Sequence, residues 1–126
     1  MVLTYILDLR SMKVAMKVKD ILLSDNLKLI NSNGNLNNEL NEIFACDLLS
    51  HVMGFASEDD ILITVLNNIN VLGVASLLDM SCVIFAHGTK VNDAIIRKAD
   101  ELEIPLLSTE LTTAQITTQL NKLGVN

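Results

Sequence analysis

Two Cys-x4-His pairs, Cys46 with His51 and Cys82 with His87, carry the residue types from which a metal site is built: thiolate sulfur and imidazole nitrogen. Their spacing argues against that use. Cys82 and His87 lie five apart in an apolar run, about 16 Å along an extended strand at ~3.3 Å per residue, and an odd offset turns them to opposite faces. Ser50 and His51 offer a nucleophile beside a base, but helix neighbours do not face each other, and no G-x-S-x-G elbow is present. The run Glu58-Asp59-Asp60 carries enough charge for a divalent cation, yet adjacent carboxylates ahead of a strand read as a solvated turn. No G-x-x-x-x-G-K-[ST] loop cradles a phosphate. The sequence therefore predicts no catalytic residue, no metal and no cofactor.

A second set of polar residues is defined by position. Asp47, Thr64, Asn67, Asn68, His87, Gly88, Thr89, Ser108 and Thr109 each follow or end a short apolar run and precede a helical pattern. In an open parallel sheet, ligands sit beyond the carboxyl ends of the strands, where loops meet helix N-termini. Polar, uncharged hydrogen-bonding groups gathered there predict a shallow site for a small polar ligand such as a nucleotide, held by amides and helix starts.

The elements that must position them follow from the pattern. EIFAC (42–46), ILITV (61–65), SCVIFA (81–86) and PLLS (105–108) read as strands. Between them, Asp47 is placed to cap a helix whose Leu48, Leu49, Val52, Phe55 and Ala56 point inward, and 69–79 forms a helix apolar nearly all round. A third helix starts near Asn92 with Ile95, Ile96, Ala99 and Leu102 inward and is stopped by Pro105. The last runs from Thr112 with Ile116, Leu120 and Leu123 inward and Gly124 as its stop. Upstream, KVKDILLSD reads as a helix and LKLIN as a strand, and the six Asn and one Gly of 31–41 read as a surface loop. Apolar strands separated by helices imply a mainly parallel sheet covered on both faces: a single three-layer α/β/α domain.

Half of the 126 residues are hydrophobic, enough for a real core, while aromatic residues make up 3%. Scarce rings exclude a base-stacking surface for single-stranded nucleic acid. The net charge is −6, and no Lys or Arg stands between Lys28 and Lys90, so phosphate-backbone binding is excluded as well. The uncharged stretch from Ile61 to Leu78 has the length of a membrane span, but Asn67, Asn68 and Asn70 near its centre argue for strand, turn and buried helix. The N-terminus lacks a signal-peptide pattern, and two unpaired cysteines suit a reducing, cytoplasmic compartment.

Several short motifs in order are similar to those of DRTGG domains: Cys46-Asp47-Leu48-Leu49-Ser50-His51-Val52-Met53, Ile61-Leu62-Ile63-Thr64, Val74-Ala75-Ser76-Leu77-Leu78-Asp79 and Ile104-Pro105-Leu106-Leu107-Ser108-Thr109. The similarity covers about residues 16–120. Such domains resemble the N-terminal domain of HPr kinase and the central domain of some phosphotransacetylases, and elsewhere accompany CBS domains. The resemblance implies a non-catalytic regulatory or ligand-sensing module acting as a homo-oligomer, a dimer being expected. The alternative is an assembly module without a small ligand, whose interface is the apolar helix from Ile69 to Asp79. Where the family often has Gly-Gly after the fourth strand, this chain has Ala86-His87-Gly88-Thr89. Family members open near a sequence like Met16-Lys17-Val18, so the domain is expected over 16–126, with Met1 to Ala15 an extension arising from a misassigned start or forming an added edge strand.

Overall fold

A computed structural model describes residues 15–126. The status of the expected extension, except for Ala15, lies outside the described residues. The chain forms α1 (Val18–Ile21), β1 (Lys28–Leu29), β2 (Ile43–Ala45), α2 (Leu49–Phe55), β3 (Ile61–Thr64), α3 (Asn70–Leu77), β4 (Cys82–Phe85), α4 (Asp93–Leu102), β5 (Leu106–Ser108) and α5 (Thr113–Leu123). The sheet order is β1-β5-β4-β3-β2. Strands β2 to β5 are parallel, and β1 joins β5 antiparallel, with Lys28 opposite Ser108.

Every residue of β3 and β4 is buried, the mark of central strands covered on both faces. Alternation along these strands divides the core in two. Leu62, Val83, Phe85 and Leu106 pack with Val52 of α2, Val71, Leu72 and Ala75 of α3, and Ile95 and Ala99 of α4. Ile61, Ile63, Cys82, Ile84 and Leu107 face the opposite way, onto Val18 and Ile21 of α1 and Ile116 and Leu120 of α5. The expected three layers are present, α2 to α4 on one face and α1 with α5 on the other.

Several local expectations change. Asp47 does not cap α2: Leu48 holds that position without a side-chain bond, because the Asp47 carboxylate is engaged with β3. Leu48 and Phe55 point outward, and Ala56, one turn beyond buried Val52, takes the inward place. Helix α3 is apolar but not enclosed, since Ile69, Gly73 and Leu77 form an outward row. Helix α4 ends at Glu103, whose left-handed backbone (φ 58°) turns the chain before Pro105 is reached. Gly124 (φ 108°) ends α5 as expected, but swings Val125 into the core and leaves Leu123 exposed. The first helix is a single turn.

The loop from Asn31 to Asn41 lies largely at the surface, as expected, and is pinned at its start. Asn31 is buried, its amide donating to Ile104 O and accepting from Leu106 N, both at 2.8 Å, so it continues the β1–β5 pairing with a side chain. A Cβ on Gly34 would lie 2.5 Å from Pro105 Cα, which leaves room for glycine alone.

Candidate functional site

The carboxyl ends of β2 to β5 and the loops after them form one rim of the sheet. Asp47, just past β2, accepts from Thr64 Oγ1 at 2.7 Å and from Val65 N at 2.8 Å. The Thr64 hydroxyl in turn accepts from Leu66 N at 3.1 Å. One carboxylate thus ties the end of β2 to the end of β3. Thr64 is buried and shapes the rim from beneath, while Asp47 is exposed on it.

After β4 the chain makes a tight turn through Ala86-His87-Gly88-Thr89. His87 (φ 61°) and Gly88 (φ 63°) are both left-handed, and Thr89 N and Oγ1 both donate to Ala86 O, at 3.1 and 2.6 Å. Positive φ at both central positions is the primed kind of β-turn that glycine favours. The turn is bound to the loop after β5: His87 N donates to Leu111 O at 2.8 Å and Gly88 N to Thr109 O at 2.9 Å. Thr109 is buried, with its Oγ1 accepting from Leu111 N at 3.1 Å. A Cβ on Gly88 would meet Glu110 Oε1 at 2.6 Å, so the Glu110 carboxylate lies directly over this turn.

The nine rim residues are therefore not one cluster. Asp47 pairs with Thr64, and His87, Gly88 and Thr89 are linked to Thr109. Asn67 and Asn68 are exposed in the β3–α3 loop, where Asn68 Oδ1 accepts from Asn70 N at 2.8 Å and closes the turn that leads into α3. Ser108, with Thr109, lines a cavity of about 180 Å³ closed by Asp25, Asn26, Lys28 and Glu110, which the other seven do not touch. Two helix starts at this rim are already served, whereas α2 has no side-chain cap: Asn92 caps α4 through Ile95 N at 3.0 Å, and Thr112 and Gln115 bond each other's amides at α5. At α4 and α5 the rim therefore offers a ligand exposed side chains rather than spare helix amides.

A second concavity, which the sequence pattern does not signal, opens at the amino ends of the strands. It measures about 440 Å³ and is lined by Asn35, Asn38, Glu58, Asp59, Asp79 and Glu103, together with α3 residues. Asp59, Asp79 and Glu103 each have left-handed backbones at turns that lead into strands. Partial burial, then the charges of Glu39, Asp79 and Asp60, push the Asp59 carboxyl above the usual carboxylate range. Of the cysteines, Cys82 is sealed in the core and its thiol is pushed up to about 12 by that burial, with a smaller opposing effect of Ser81. His87 is exposed at the rim, away from that interior. Among the described residues no three His, Cys, Asp or Glu side chains are grouped to hold a metal ion, and no helix is long and apolar enough to cross a membrane.

The DRTGG domain family profile matches residues 15–123. The chain belongs to the DRTGG domain family. No curated protein matches it. Among solved structures it is similar to the CBS and DRTGG domains of the regulatory region of Clostridium perfringens pyrophosphatase, complexed with its activator, diadenosine tetraphosphate. The TM-score is 0.62 at 19% identity, over 82% of this chain and 43% of that one. This DRTGG domain thus spans less than half of the regulatory region it matches, and the likeness is one of fold. Within the family pattern, the left-handed pair at His87 and Gly88 gives a physical reason for two glycines at this turn. Histidine here accepts a backbone that glycine adopts without strain.

Proposed function

We propose that this DRTGG domain is a non-catalytic regulatory module that senses a small polar ligand such as a nucleotide, and that it works as a homodimer in the cytoplasm. The observation that carries the reading is family membership together with the fold shared with a regulatory region whose activator is a dinucleotide. The ligand site lies on the rim at Asp47, Thr64, Asn67, Asn68, His87, Gly88, Thr89, Ser108 and Thr109. Asn67 and Asn68 supply exposed amides, His87 an exposed imidazole, and the two bonded sets at Asp47–Thr64 and Gly88–Thr109 hold the loops in place. Sensing needs no nucleophile or metal. It needs a ligand that binds one arrangement of the module better than another.

Thermal unfolding with diadenosine tetraphosphate, mononucleotides, and acyl or phosphoryl metabolites tests this reading. A ligand at 100 times its dissociation constant adds about 2.7 kcal/mol of stability when it binds the native state alone. The Asn67→Ala, Asn68→Ala double variant is expected to lose that gain. An unchanged affinity removes these amides from the site. The second reading, an assembly module with no small ligand, is favoured by the apolar residues exposed on α2 and α3. It is supported if no compound shifts the transition and the chain is a stable dimer by light scattering.

A further inference from the structure

Six of the eight large apolar side chains exposed among the described residues belong to two segments: Leu48, Met53 and Phe55 to residues 48–57, and Val65, Ile69 and Leu77 to residues 61–78. Neither segment contains a charged side chain. They build α2 and α3, which pack side by side on one face of the sheet. Phe55 and Leu77 are each 67% exposed, far more than the helices' inward residues. Large apolar patches on a soluble chain mark places where something docks.

We propose that the outer face of α2 and α3 receives a second copy of this chain, with the two α3 helices crossing antiparallel at Gly73. The inference rests on the homodimer reading and adds its surface and geometry. Three observations select a copy of the chain as the occupant. First, the chain carries a charge of −6, so two copies repel except where the surface is uncharged, and this face is uncharged. Second, α3 has unlike ends. Its start carries Asn67, Asn68 and Asn70 and the positive end of the helix dipole, while its finish lies beside Glu58, Asp59 and Asp79. Antiparallel pairing sets each acidic end against the partner's uncharged, positive end, whereas parallel pairing stacks acid on acid. Third, the outward row Ile69, Gly73, Leu77 is a ridge of i, i+4, i+8 residues with a dip at its middle. A Cβ on Gly73 would meet nothing within 4 Å, so no contact inside the chain requires glycine there. Two such ridges crossing at their dips fit each other about a two-fold axis, and α2 extends the contact toward the ~800 Å² per partner of a stable interface.

Sedimentation velocity on the full chain at micromolar concentration provides the test. The wild type is expected to be a dimer. Leu77→Glu and Gly73→Glu, both at exposed positions, are each expected to weaken the dimer by at least about tenfold while leaving the circular dichroism spectrum unchanged. Leu123→Glu, an exposed apolar position on α5, is the control and is expected to remain dimeric. A dimer that survives both α3 variants overturns this face but leaves the homodimer reading standing. A monomeric wild type overturns both, and loss of the dimer in Leu123→Glu moves the interface to the other side of the sheet. If Gly73→Glu does not fold, Leu77→Glu decides alone.

Discussion

The Asp60 carboxylate is nearly enclosed and takes three hydrogen bonds, from Asn41 Nδ2 (3.0 Å) and Glu42 N (3.1 Å) on one oxygen and from Ser57 N (2.8 Å) on the other. It closes the turn before β3 and holds the entry to β2 against it. Asp60→Ala leaves those donors unpaired in a part-buried place and is expected to cost about 2–3 kcal/mol in urea unfolding. Asp59, its neighbour, makes no comparable bond, so a small effect of Asp60→Ala would show that water replaces the carboxylate. His87 offers the opposite case. Its left-handed backbone costs ~1–2 kcal/mol for a residue with a Cβ, less what glycine loses in entropy, so His87→Gly is expected to stabilise the fold by up to about 1 kcal/mol. A fall in stability on that substitution would reveal a bonded role for the imidazole. Neither role was legible in the sequence. Glu58-Asp59-Asp60 presents three similar acids, and which one turns inward is decided by the turn geometry and by amides 15 or more residues away. The polar rim residues were legible as a set, because each ends an apolar run, but their division into separate bonded groups depends on loop paths that spacing does not encode.

At the scale of elements, two glycines separate what the fold demands from what it leaves open. Gly34 lies against the Pro105 backbone, and Gly34→Ala forces the loop away from β5, with an expected cost of about 1–3 kcal/mol by thermal unfolding. Gly73 sits in open space on α3, where alanine is the better helix former. In a Leu77→Glu background that keeps the chain monomeric, Gly73→Ala is expected to add about 1 kcal/mol. Equal effects at the two sites would mean that the loop yields more easily than its contact with Pro105 suggests. The order of strands and helices was readable because short, largely apolar runs such as ILIT and CVIF, set between helical patterns, suit buried parallel strands. The surface placement of the 31–41 loop was legible but its anchor at Asn31 was not, because asparagine favours loops whether or not its amide is used. Asn31 uses its amide to extend a sheet, and only the antiparallel seat of β1 beside β5 shows that.

Across the whole molecule, charge is divided as sharply as apolar surface. The amino ends of the strands gather Glu58, Asp59, Asp79 and Glu103 around one cavity, with Glu39 near enough to act on Asp59, while the face made by α2 and α3 carries no charge. Absence of Lys and Arg from 29 to 89 foretold the sign of that region, but not its concentration at one end, which arises because turns between helices and parallel strands all fall there. Such crowding costs stability when every carboxyl is ionised. Asp59 binds its proton more tightly in the folded chain than in the unfolded one, because burial and then the neighbouring acids disfavour its charged form. Its contribution is therefore fully present below the ordinary carboxylate range and is lost as pH rises through its raised value. Asp59→Asn suits the same left-handed backbone and removes the charge, so it is expected to stabilise the domain at neutral pH by a few tenths of a kcal/mol, the scale of exposed charge pairs. That advantage should shrink as pH falls and vanish once Asp59 is protonated in both states of the wild type. Urea unfolding of both proteins from pH 3 to 7 measures the difference directly. An Asp59→Asn variant less stable than the wild type at neutral pH, with the deficit fading toward acid, would mean that Asp59 is held ionised by a favourable contact, and that this end of the sheet is not the repulsive cluster its carboxylates make it.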